Sequence, residues 1–178
     1  SSHAHRYAEC AARERSILVL LDGTASMQQQ MGVIDSFRLG QKKAAEMVRG
    51  LPKGAKVTVG LLGERMEEVI REETDVHTAA SRIESLRPGA GAAPMREGLL
   101  WANDFLEKNQ SSGAEVYVFS DYQKFTWTRE GSDAAETGGL IQSIGGRASI
   151  YMADVGGTPS YNYILTGLRP VEWLLSAG

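Results

Sequence analysis

The chain has little of what several protein classes depend on. Cys10 is the only cysteine among 178 residues, which excludes an intrachain disulfide and a cysteine-based zinc cluster. Aromatic residues make up 7% and the net charge is −3, so there is no basic surplus to attract nucleic acid or an anionic membrane. No apolar run is long enough to cross a bilayer, and no signal-peptide pattern opens the chain. Of the three histidines, His3 and His5 sit in an N-terminal stretch without period, and His77 is read as a surface residue. What is present is ordinary for a globular chain: 42% hydrophobic and 23% charged residues, enough for one sizeable core and short of two full domains.

The most informative stretch is Ser16 to Ser26, S-I-L-V-L-L-D-G-T-A-S. Five apolar residues, Ile17 to Leu21, run into an acid, and the acid opens a polar turn. Asp22, Thr24 and Ser26 follow two apart, so an extended backbone sends all three side chains to one side. A carboxylate and two hydroxyls can therefore converge beyond the end of a buried strand, the place where open α/β sheets hold their ligands. Three hard oxygens suit a hard cation. The same residues also suit a strand that simply ends in an Asp turn rich in hydroxyls.

The rest of the chain alternates. A helix is predicted from about Ser36 to Arg49, capped by Asp35 or Ser36. A continuously apolar strand spans Lys56 to Leu62, and a short antiparallel neighbour covers Met66 to Ile70. Val76, Ala80, Ile83 and Leu86 form the stripe of a helix over about Asp75–Leu86, capped by Thr74 or Asp75. Arg87–Ala93 is loop, and Pro94 is placed at the first position of a helix ending near Lys108. The strand Glu115–Ser120 is closed by a second acid, Asp121. Ser132–Ile144 reads as a helix weakened by Gly138 and Gly139; Ala148–Ala153 is a further strand, and Tyr161–Thr166 a last one. Strands spaced by helices argue for a mainly parallel α/β sheet covered on both faces. If the strands ending in Asp22 and Asp121 are neighbours, the two acids face one another across a crevice. Without a cation they repel, so Asp22→Ala is expected to cost little stability.

These motifs resemble the von Willebrand factor A (vWA) domain. D-G-T-A-S matches the D-x-S-x-S signature with Thr24 in its middle place, and Asp121 in V-F-S-D matches the aspartate after the fourth strand. The threonine between them is absent: the family's T-x-(I/M)-x-x-(G/A)-L aligns with Ala93-Pro94-Met95-Arg96-Glu97-Gly98-Leu99. The resemblance implies a three-layer, Rossmann-like α/β fold with a mostly parallel six-stranded sheet, one antiparallel edge strand and helices on both faces. It also implies an incomplete metal-ion-dependent adhesion site of Asp22, Thr24, Ser26 and Asp121. That site would take Mg²⁺, Mn²⁺ or Ca²⁺ weakly or conditionally, with water in the place of the missing threonine oxygen. Its rim would be Ala93, Tyr122, Phe125 and Trp127. The expected organisation is a poorly ordered leader over 1–15, a vWA-like domain over 16–160, and over 161–178 a last strand or the lead into a downstream module. L-L-D-G-T-A-S-M, V-F-S-D-Y-Q and N-Y-I-L-T-G-L-R-P further resemble the vWA segment of bacterial BatA-like membrane-anchored proteins, which implies an extracytoplasmic location and a membrane link through flanking segments.

The function implied is non-enzymatic binding of a protein partner that offers an acidic side chain. The alternative is an assembly module with a vestigial site. An enzyme fits less well. Asp22-Gly23-Thr24 is similar to the D-x-D-G-T motif of haloacid-dehalogenase-like phosphatases, but the position of their nucleophile is Leu20. His77 is the only histidine in the folded part, and no G-x-S-x-G elbow exists for a Ser-His-Asp arrangement.

Overall fold

A computed structural model describes residues 14–28, 30–31, 34–110, 113–121, 132–156 and 162–165, with the side chains of 26, 30, 31, 34, 132, 133 and 162–165 left out. Strand β1 (Arg15–Asp22) leads through a 3₁₀ turn (Ala25–Gln28) and a two-residue ribbon (Gln30–Met31 with Ile34–Asp35) into helix α1 (Ser36–Arg49). Strands β2 (Ala55–Leu62) and β3 (Met66–Glu73) follow, then α2 (Val76–Ser85), α3 (Met95–Lys108), β4 (Ala114–Ser120), α4 (Ser132–Gly145), β5 (Ala148–Asp154) and β6 (Asn162–Leu165).

The sheet order is β3-β2-β1-β4-β5-β6. β2, β1, β4 and β5 are mutually parallel, and β3 is antiparallel to β2, the antiparallel edge expected from the sequence. The difference lies at the other edge, where the short β6 also runs antiparallel, pairing with β5 from Ile150↔Leu165 to Ala153↔Asn162.

The unbroken apolar run of β1 follows from burial on both faces. Ile17, Val19 and Leu21 pack with Phe37, Ala44 and Val48 of α1 and with Ala80 and Ile83 of α2. Leu18 and Leu20 pack on the opposite side with Met95, Leu99 and Ala102 of α3 and Ile144 of α4. Each Leu, Ile, Val, Phe or Met side chain among them contributes about 1.5–3 kcal/mol when fully buried. Asp35 caps α1 by accepting from the Arg38 amide at 2.7 Å, and Asp75 caps α2 by accepting from the amides of His77 and Thr78.

Two local expectations shift. Pro94 stands at the cap of α3 with extended backbone (φ −67, ψ 145), one place before the first helical residue. The glycine pair 138–139 does not interrupt α4, which runs unbroken to Gly145. The parallel pairing of β1, β2, β4 and β5 brings their C-terminal ends to one edge of the sheet.

Candidate functional site

Asp22 is the last residue of β1 and is completely buried. Burying a carboxylate is costly unless hydrogen bonds replace its water. Thr24 supplies two of them, its amide donating to Oδ1 at 3.0 Å and its hydroxyl to the same atom at 2.6 Å. The third comes from a neighbouring strand: the Ser120 hydroxyl donates to Oδ2 at 2.7 Å. Ser120 and Thr24 are buried with Asp22.

The register explains this contact. Leu21 pairs with Phe119, so the next step along both strands sets Asp22 against Ser120. The crevice expected between two acids therefore has Ser120 as Asp22's partner. Asp121 follows one position on, half-buried, with its Oδ2 enclosed by protein. The repulsion argument for Asp22 is thereby corrected, since three donors hold its carboxylate in place.

The turn after Asp22 is fixed from below. Met27 is buried in the α1-side core and its amide donates to the Thr24 carbonyl at 3.0 Å. Ser26 lies in this turn, within Ala25–Gln28; its side chain is outside the described atoms.

The Arg87–Ala93 loop comes against the same turn. Gly89 donates to the Gly23 carbonyl at 3.0 Å, Ala25 donates to the Gly91 carbonyl at 2.8 Å, and Gln28 Nε2 donates to the Gly89 carbonyl at 2.9 Å. Such approach needs glycine. Gly91 has φ +136, and a Cβ there would stand 2.6 Å from the Glu64 Cα. Ala93, at the foot of the loop, donates its amide to the Gly63 carbonyl at 2.9 Å and is 5% exposed beside Leu62 and Met95. A hollow of about 550 Å³ opens beside the loop, lined by Leu61, Gly63, Glu64, Arg65, Glu67, Gly89 and Ala90. Tyr122, Phe125 and Trp127, the expected rim, lie outside the described residues.

Among the described residues no three His, Cys, Asp or Glu side chains gather into a metal-binding group. The donors at this edge are two aspartates and hydroxyls. The hydroxyls of Thr24 and Ser120 both donate to the Asp22 carboxyl group. Such oxygens fit a hard divalent cation and fit poorly a soft one. Ser120 is the residue missed in the sequence; its one signal was its place directly before Asp121 at a strand end, and the pairing of that strand with β1 is known only from the topology. Burial, with Glu115 beside it, pushes the Tyr117 phenol up; this ring stacks on Tyr151 at 4.7 Å in mid-strand.

A parallel sheet between two helical layers, with a carboxylate and hydroxyls at the C-terminal edge of its central strands, defines a Rossmann-like domain of the vWA class. The family description "von Willebrand factor type A domain" matches residues 17–123, and the chain belongs to that family. Domains of this family typically mediate protein interactions and are generally non-enzymatic adhesion or assembly modules.

Among solved structures the chain is similar to BatB from Bacteroides thetaiotaomicron, with TM-score 0.60 and 17% identity over 78% of this chain and 64% of that one. It is similar to an aerotolerance-related membrane protein from Bacteroides fragilis, with TM-score 0.58 and 16% identity over 78% and 65% of the two chains. Manganese-loaded TRAP protein from Plasmodium vivax gives TM-score 0.52 and 16% identity over 79% and 57%. The chain thus spans just under two thirds of the two Bacteroides proteins, and identities this low establish the shared fold. A search of curated proteins gave no match.

Proposed function

We propose that this domain is a non-enzymatic protein-binding module that holds a divalent cation, Mg²⁺ or Mn²⁺, through Asp22, Thr24, Ser26 and Asp121. The cation would supply the positive charge that attracts an acidic side chain of a protein partner. The single observation that carries the reading is the buried network at Asp22, with Thr24 on one carboxylate oxygen and Ser120 on the other. It presents hard oxygens in a preformed arrangement at the edge of the sheet. The pinned 87–93 loop and the segment holding Tyr122, Phe125 and Trp127 would form the rim that selects the partner, with the aromatics as anchors. The manganese-loaded TRAP protein, which shares the fold, supports the choice of ion. The likeness to BatB and to a membrane protein supports a membrane-anchored parent.

A second reading, an assembly module without metal, is favoured by one specific feature. Ala93 stands at the sequence position of the family's threonine, and it is buried as part of the apolar cluster that includes Leu62 and Met95. A phosphatase reading is disfavoured because Leu20 is sealed in the core between β1 and α3. Thermal unfolding in EDTA and in MnCl₂ separates the first two readings. The adhesion-site reading expects a higher Tm in MnCl₂ for the wild type and no rise for Asp121→Ala. Equal wild-type Tm values in both media would leave the assembly module.

A further inference from the structure

We propose that Ser120 is the positioning residue of this site, the group that fixes the plane of the Asp22 carboxylate; its consequence for cation binding rests on the reading above. A carboxylate is free to turn about its last torsion, which is broad and roughly two-fold. Thr24 holds Oδ1, from Asp22's own loop. Oδ2 is held across the sheet by the Ser120 hydroxyl at 2.7 Å, with both residues fully buried. The pairing of Leu21 with Phe119 brings these two strand ends level, and the Val155 amide donating to the Ser120 carbonyl at 3.0 Å ties β4 at that same residue to the end of β5. Ser120 therefore stands on a backbone held from two sides, independently of the turn that bears Thr24. A site must hold its donors within roughly 0.5 Å and 10–20° to work, and a hydroxyl on a rigid central strand is the means available here. In this role Ser120 acts through Asp22.

The test pairs a metal arm with a metal-free arm. In the first, Mn²⁺ is titrated calorimetrically into wild type, Ser120→Ala and Ser120→Thr. The expected result is a Kd raised about tenfold or more in Ser120→Ala, the usual size for loss of a group that orients a ligand, and near-wild-type binding in Ser120→Thr, which keeps the hydroxyl. Wild-type affinity in Ser120→Ala would overturn the proposal. Should Ser120→Ala fail to fold, Ser120→Thr is compared with Ser120→Val, which has the same shape and lacks the hydroxyl; equal affinities of these two would overturn it as well.

In the second arm, Tm is measured in EDTA for Asp22→Ala, Ser120→Ala and the double variant. Both single changes break the same bond, so the double variant is expected to melt no lower than the worse single. Additive losses would overturn the pairing. If the wild type takes up no Mn²⁺ while the losses are non-additive, the adhesion-site reading falls and Ser120 stands as the residue that positions Asp22 in a metal-free clasp.

Discussion

Asp22 and Ala93 are the two residues where burial changes what the sequence alone suggests. Read as one of two facing acids, Asp22 should be dispensable without metal. Buried under three hydrogen bonds, it should not be: Asp22→Ala leaves the Thr24 amide and two hydroxyls to lose their acceptor. The expected cost is about 1–3 kcal/mol, the penalty for leaving buried donors without an acceptor. Chemical denaturation in EDTA measures it, and a loss within experimental error would restore the repulsion argument. Ala93→Thr tests the missing oxygen. The loop does reach the Asp22 turn, through Gly89 and Gly91, as a threonine there requires. With Ala93 only 5% exposed, the added atoms overpack the site, and a loss of about 1–3 kcal/mol is expected in EDTA. Tighter Mn²⁺ binding than wild type is expected in calorimetry; superimposable titrations would mean that the new hydroxyl does not reach the ion's position. The spacing of Asp22 and Thr24 was legible because both sit on one local turn. Ser120 was not, because its partner lies 98 positions away in the chain and is found through strand register, which a single sequence does not encode locally.

At the scale of elements, local signals were the readable ones. Asp35 and Asp75 both cap the helices they precede, since an N-cap needs only a short acceptor near the following amides. The second antiparallel edge was not readable in orientation, because strand direction depends on where the connection lands. The Asp75 cap has a pH signature. The Thr78 amide holds the Asp75 carboxyl below its usual range, against a smaller opposing push from burial, with the His77 amide helping. A carboxyl lowered on folding adds stability that is complete above its unfolded value and is lost as pH falls through the folded one. Wild type is therefore expected to lose more stability than Asp75→Asn between about pH 5 and pH 2; parallel acid titrations of the two would refute the cap's charge dependence. Gly91 marks the loop that meets the site. Gly91→Ala puts a side chain at φ +136 and 2.6 Å from backbone, at an expected cost of about 1–3 kcal/mol. Faster hydrogen exchange of the Ala25 amide, which donates to Gly91, would accompany it; unchanged exchange would show that the loop and turn are not coupled.

For the molecule as a whole, the architecture followed from element order. Apolar strands alternating with amphipathic helices leave a parallel sheet with two helical layers as the economical way to bury both faces of β1. That sheet edge then gathers residues far apart in sequence, Asp22 and Thr24 from one strand end and Ser120 and Asp121 from another. The central claim is that this edge holds a divalent cation, and a calorimetric titration of Mn²⁺ into wild type and Asp121→Ala tests it most directly. Asp121→Ala leaves the hydrogen bonds to Asp22 in place, so it removes a donor without dismantling the network. The expected result is saturable binding of a single ion per chain in the wild type and its loss in Asp121→Ala. No binding heat from the wild type, or the same isotherm from both proteins, would contradict it.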